Sequence, residues 1–386
     1  MQKRMFTRIA AAVLALVILT GQSFAAVIQI DMPTLELPCK NAVLVSTDTG
    51  DVLYEKSADD EVAIASITKV MTLLLTLEAV EDGKISMTDI VPISAHAYGM
   101  GGSQIWLEPG EQFTLDELIK AICVCSANDA AVAVAEYVGG SEDVFAEMMN
   151  ARAKELGMEH THFMNACGLD EDGHYSCARD VAKMSVALLA HPKILEYSQI
   201  WMDSLRGGAT QLLNTNKLLK NYTGTTGLKT GTTGKAGVCI SASATRDGSS
   251  FLAVVLGSAS GDERFESAKT MLDYAFSTYE YAKFPTVENA AATVRVSHGA
   301  SQTTQLSYEV PEGLLMKKGD GEKLTAQCTT KDAVYAPTEA GTVVGTVTLY
   351  NGETAICEYP VTVAEAVGKM DFAIALKLLL KGIISL

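Results

Sequence analysis

The chain has 386 residues, 48% of them hydrophobic and 20% charged, a balance that builds packed cores and excludes both a disordered chain and a multi-span membrane protein. Against 46 acidic residues stand 30 Lys and Arg, for a formal charge of −16. That acidity argues against a nucleic-acid binder, which would present a basic face, and the length suits two domains.

The first 25 residues join Lys3, Arg4 and Arg8 to an apolar run from Ile9 to Leu19, followed by small residues at Ser23 and Ala25. This three-part pattern is that of a secretory signal peptide cleaved after Ala25, and the run is short for a membrane span. Residues 1–25 are therefore expected to direct export. An exported chain permits disulfides, and among the cysteines Cys167 with Cys177 and Cys328 with Cys357 are candidate pairs. Packed-core thiols are an equal expectation for most of them. "CVC" at Cys123 to Cys125 lacks the spacing of a zinc or redox motif, and His160 and His162 have no second ligand cluster, so surface histidines are expected and no metal.

In chain order, "AVLVSTDTGDVLYE" from Ala42 predicts two alternating strands around a turn at Asp48 to Asp51. "ASITKVMT", from Ala65 to Thr72, opens a predicted helix whose apolar face carries Val70, Leu73, Leu77 and also Ser66 and Lys69. "LDELIKAICVCSANDAAVAVAEYV" has helical periodicity on both sides of a break, where Ser126 and Asp129 are suited to cap the second helix. Two further amphipathic helices end at Gly157 and before Pro192. After Lys229 come "AGVCISASAT" and "SSFLAVVLGSA", strands of a hairpin turned by "RDG", and then a helix from Glu263.

This order predicts an α+β domain over residues 26–284, an antiparallel sheet with a helical insertion. Pro285 marks the boundary to spaced β segments that predict a small all-β sandwich over 285–364. Residues 365–386 carry an apolar run from Phe372 interrupted by Lys377 and Lys381, which predicts an amphipathic helix lying in a membrane interface.

The chemistry rests on three short elements. Ser66-x-x-Lys69 alone is weak, since snorkelling would also place a lysine there. It is joined by "SAN" at Ser126 to Asn128 and by "KTGT" at Lys229 to Thr232, expected to introduce a strand. A serine hydroxyl needs a base to become a nucleophile, and Lys69 lies one turn along the same face. Burial beside the cationic Lys229 would lower the Lys69 pKa. Ser126 can relay a proton to a leaving amine, and Asn128 can hold a substrate amide and fix Lys69. Lys229 supplies positive charge for a carboxylate, with the Thr230 and Thr232 hydroxyls nearby. Gly231 leaves room for an extended substrate along the strand edge, and the backbone amides of Ser66 and Thr232 are the expected oxyanion donors.

In this order the three elements resemble the set shared by penicillin-binding proteins and class A β-lactamases. With "GLDEDGHYSCARDVA", "NTNKLL" and "GLKTGTTGKAGVCISASAT", the likeness to low-molecular-mass penicillin-binding proteins of the D-alanyl-D-alanine carboxypeptidase family spans Lys40 to Tyr281. The resemblance implies a penicillin-binding/β-lactamase-like domain that releases D-Ala from peptidoglycan stem pentapeptides through an acyl-Ser66 intermediate, without cofactor, and that β-lactams inhibit covalently. It also implies that Arg264 helps receive the terminal carboxylate, and that a C-terminal β domain and peripheral membrane anchor follow on the extracytoplasmic side. Ala127, Cys167 and Thr232 depart from common family residues. A D,D-endopeptidase remains an alternative. A class A β-lactamase is disfavoured because no Glu-x-x-Leu-Asn lies between Asn128 and Lys229, and a catalytically dead wall-binding protein because the reacting groups are intact. A Ser-His-Asp hydrolase is disfavoured because no Gly-x-Ser-x-Gly is present and no histidine is placed near a motif.

Overall fold

The structure, a computed structural model, describes residues 30 and 32–384, so the proposed leader at 1–25 lies outside the described residues. The chain divides by contacts between Tyr281 and Ala282. In the first unit, strands β1 (Asn41–Ser46), β2 (Val52–Lys56), β3 (Thr225–Thr233), β4 (Gly237–Arg246) and β5 (Ser249–Ser258) form one antiparallel sheet in the order β2-β1-β5-β4-β3. Every residue of β1 is buried, which requires cover on both faces. Alternation along the strands supplies it. Val43, Val45, Leu252 and Val254 join the core shared with the helices of the insertion. Phe251 turns the other way and meets Phe276, edge to face at 4.9 Å, on the long helix Gly261–Thr278.

The insertion between β2 and β3 holds five main helices: α1 (Lys69–Glu81), α2 (Leu115–Val124), α3 (Asn128–Gly139), α4 (Glu142–Glu155) and α5 (Ala178–Leu189); Gly261–Thr278 follows the sheet as α6. α3 is rich in buried alanine (Ala130, Ala131, Ala133, Ala135), and it packs against α1, α2 and α4 at once. A capping box between Thr114 and Glu117 starts α2. The expected caps of α3 are not caps. Its N-cap position is Ala127, with no side-chain bond. Asp129 is fully buried and its carboxylate accepts the backbone N–H groups of Ile105 and Leu107. Ser126 stands at φ 63° with its hydroxyl turned to Lys229.

The second unit is all-β with a terminal helix. Strands β6 (Val287–Glu288), β7 (Thr293–Ser297), β8 (Thr303–Ser307), β9 (Leu324–Thr330), β10 (Ala333–Tyr335), β11 (Val343–Asn351) and β12 (Thr354–Val363) run in the order β6-β9-β11-β12-β8-β7-β10. β8 divides its pairing, Thr303 to Gln305 with β7 and Leu306 to Ser307 with β12, and so links β7 and β10 to the remaining strands. The candidate pair Cys328–Cys357 does not form: β11 runs between the two strands, opposing Cys328 with Val347 and Cys357 with Leu349. Two strand spacings, about 9–10 Å, exceed the reach of a disulfide. Cys167 and Cys177 are also unbridged; Cys177 Sγ instead accepts the Asp180 N–H at the start of α5. The last helix, α7 (Phe372–Ile384), leaves Phe372 82%, Leu379 63% and Leu380 50% exposed. Among the described residues no helix is long and apolar enough to cross a membrane.

Candidate active site

Ser66 lies in a single 3-10 turn, Ala65–Thr68, that leads into α1. Lys69, the first residue of α1, is fully buried, as its place on the apolar face required. Its Nζ is within hydrogen-bond distance of Ser66 Oγ (2.9 Å), Asn128 Oδ1 (2.6 Å) and the Cys167 carbonyl (2.7 Å). The last two can only accept. A neutral amine has two N–H groups and one lone pair, so filling both acceptors leaves the lone pair for the Ser66 hydroxyl proton. Burial pushes the Lys69 ammonium down to about 8.

Lys229, in the middle of β3, is likewise buried and donates to Ser126 Oγ (2.9 Å) and the Thr230 carbonyl (2.8 Å). Burial first, and the Lys69 charge second, hold its pKa well below the ordinary value. The charge effect between the two lysines therefore shows on Lys229, whereas burial accounts for the shift at Lys69. "KTGT" lies inside β3 rather than introducing a strand. The Thr230 hydroxyl pairs with Thr215 (2.6 Å), and the Thr232 hydroxyl donates to the Gly231 carbonyl (2.8 Å).

Gly231 does leave room, but for the protein's own backbone. A Cβ there would lie 2.9 Å from the Ile64 carbonyl oxygen and 3.0 Å from the Ser66 nitrogen. The serine turn thus sits directly against β3, bringing the Ser66 amide beside the residue that precedes Thr232. Asn128 is held from the far side of the cleft: its Nδ2 donates to the Gly101 carbonyl (2.7 Å) and its backbone N–H to the Ser103 carbonyl (2.7 Å). Arg264, on α6, is 8% exposed; its Nη1 donates to the Cys239 (3.1 Å) and Gly231 (3.4 Å) carbonyls, and burial lowers its pKa to about 10. The structure thereby gathers Ser66, Lys69, Ser126, Asn128, Lys229, Thr230, Gly231 and Thr232 into one place, with Arg264 behind the strand.

Sequence reasoning noted Cys167 and the segment from Gly168 but gave the loop over residues 164–174 no part in the site, where it lies against the serine turn and Lys69. Cys167 contributes through its carbonyl, a group with no side-chain signature. Gly168, at φ 83°, abuts the Ala65 carbonyl so closely that a Cβ would lie 2.0 Å from its oxygen. The expectation that no histidine stands near a motif is also overturned, because His174 Nε2 is 2.7 Å from Thr68 Oγ1, between the serine and the lysine. A separation of 106 positions along the chain hid this contact. Among the described residues no group of His, Cys, Asp and Glu is placed to hold a metal ion.

Residues 28–260 match the family model described as D-alanyl-D-alanine carboxypeptidase, and 279–369 match that of the penicillin-binding protein 5 C-terminal domain. The chain is 42% identical over 342 residues to D-alanyl-D-alanine carboxypeptidase DacF of Bacillus subtilis (strain 168), covering 88% of each chain. Penicillin-binding protein 5 from Haemophilus influenzae superposes with a TM-score of 0.76 at 27% identity, over 88% of this chain and 100% of that one. Penicillin-binding protein D2 from Listeria monocytogenes, in its cefotaxime-bound form, superposes with a TM-score of 0.59 at 33% identity, over 64% of this chain and 100% of that one.

Proposed function

Because the chain belongs to the D-alanyl-D-alanine carboxypeptidase family of serine peptidases, we propose that it removes the terminal D-Ala from peptidoglycan stem pentapeptides by acyl transfer through Ser66. The hydrogen-bonding of Lys69 carries this reading: two fixed acceptors orient the amine so that only the Ser66 proton can reach its lone pair.

Ser66 Oγ attacks the carbonyl carbon of the penultimate D-Ala as its proton passes to Lys69 Nζ. The oxyanion of the tetrahedral adduct is received by the backbone N–H groups of Ser66 and Thr232. The C–N bond then breaks; Ser126 hands a proton to the departing D-Ala amine, with Lys69 as the donor behind it. Water, deprotonated by Lys69, attacks the ester and releases Ser66. Lys229 draws the substrate carboxylate into the cleft and holds Ser126, Thr232 completes the carboxylate pocket while Arg264 supports β3 from behind through the Gly231 and Cys239 carbonyls, and Asn128 aligns the substrate amide. These steps need no metal or cofactor. A β-lactam would follow the same first steps and remain as an ester on Ser66, in keeping with the cefotaxime-bound relative.

Ser66→Ala should abolish both D-Ala release from a pentapeptide and labelling by a fluorescent penicillin; undiminished labelling would dismiss Ser66 as the nucleophile. Mass spectrometry of products from the pentapeptide and from a cross-linked muropeptide separates carboxypeptidase from endopeptidase action, and D-Ala release only from the former is expected. We infer that the reaction takes place outside the cytoplasm, a reading supported by the signal-peptide pattern of residues 1–25 and, for a peripheral anchor in the membrane surface, by the exposed apolar residues of α7.

A further inference from the structure

We propose that His174 is a positioning residue for the acyl-transfer step: as a neutral imidazole it clamps the loop over residues 164–174 to the serine turn, and so sets the carbonyl that aims Lys69. The inference rests on the reading of Ser66 and Lys69 given above. It begins with the hydrogen bonds of the ring. The Met164 backbone N–H donates to Nδ1 (3.1 Å), so Nδ1 carries no proton. The proton is on Nε2, which donates to Thr68 Oγ1 at 2.7 Å. One side chain therefore ties the beginning of the loop, the loop's own end and the residue between Ser66 and Lys69.

Between those ties the loop makes its contacts with α1. The Ala166 carbonyl accepts from Thr72 Oγ1 (2.6 Å) and the Cys167 carbonyl from Lys69 Nζ (2.7 Å), while Gly168 abuts Ala65. The direction of the Lys69 lone pair depends on where the Cys167 carbonyl stands, and a shift of about 1 Å in such a group costs on the order of 100-fold in rate. Protonating His174 would set an Nδ1–H against the Met164 N–H and push the loop away.

The surroundings keep the ring neutral. His174 is 7% exposed and packs edge to face on Phe163 at 5.8 Å. Asp170 and Glu171 favour a proton on it and His162 opposes one, while Lys235 lines the same recess; burial outweighs the carboxylates and pushes the imidazole down to about 4. Lys69 and His174 thus make separate demands on pH: the first must lose its proton to act, and the second must not gain one.

The test is the second-order rate of acylation by a fluorescent penicillin, with D-Ala release from diacetyl-Lys-D-Ala-D-Ala, on the mature protein across acid to alkaline pH. His174→Ala should lower kcat and the acylation rate by about 10- to 100-fold while KM stays within about 3-fold. His174→Gln, whose amide can still donate to Thr68 and does not titrate, should recover most of that loss. Below about pH 4 the wild-type logarithmic rate should steepen from a slope of one toward a slope of two, and the Gln variant should keep a slope of one. Thr68→Val should resemble His174→Ala, and the double variant should be no worse than either; this pair with the Gln variant decides the matter where the Ala variant does not fold. Wild-type kcat in His174→Ala or Thr68→Val, a loss confined to KM, or the same acid bend in His174→Gln would overturn the proposal. Since each readout requires the wild type to acylate at Ser66, failure of the Ser66 reading would appear first and separately, in Ser66→Ala.

Discussion

At the scale of single residues, the site turns on one amine kept out of water. The Lys69 pKa in the fold, about 8, lies below the ordinary value of 10.5, so the neutral base becomes dominant as pH rises through about 8. Penicillin acylation is accordingly expected to climb about tenfold per pH unit on the acid side and level off above about pH 8. A pH-independent rate across that range would remove Lys69 from the role of base. The same shift opposes folding at neutral pH: the unfolded chain binds the proton more tightly, and the penalty fades as pH rises from about 8 through 10.5. Both lysines were legible in the sequence because chemistry demands their side chains at fixed places. The groups that steer Lys69 were less so: the carbonyl of Cys167 belongs to every residue type alike, and the link from His174 to Thr68 joins segments that only the fold brings together.

At the scale of elements, alternation and helical periodicity revealed β1, β2, β4, β5 and the main helices, because each buries a regular face. β3 escaped in part: "KTGT" reads in the sequence only as introducing a strand, whereas the strand already runs from Thr225, and its glycines and threonines lack the apolar alternation that marks one. The reason for Gly231 is contact, since the serine turn lies where a side chain would stand. Gly231→Ala should therefore separate β3 from the turn, lower acylation by at least about tenfold and cost about 1–3 kcal/mol of stability, read as a fall of a few degrees in the thermal midpoint. Full activity with an unchanged midpoint would show that the turn tolerates displacement. Asp129 teaches a related lesson. A carboxylate at a helix start reads as a cap, yet here it binds the backbone of a loop more than twenty residues upstream and so braces the wall behind Asn128.

For the whole molecule, length and composition spoke to two compact units, but not to how the cysteines are used. Cys328 and Cys357 sit at core positions of β9 and β12 with a strand between them, an arrangement that spacing along the chain cannot convey. The terminal helix leaves several apolar side chains uncovered. Its exposed Phe372, Leu376, Leu379 and Leu380 predict that deleting residues 372–386 moves the mature protein from the membrane pellet to the supernatant while D-Ala release is retained. Continued sedimentation with membranes would refute the anchor.

The closeness of β3 to the serine turn also has a consequence in time. The nucleophile and its base leave the ribosome long before the strand that completes their cleft, and that strand must pair with β4 to find its place. A chain whose sheet has not yet closed therefore carries a silent serine. Reactivity is switched on by closure of the sheet, so the peptidase is born inert and becomes a target for penicillin only once it is whole.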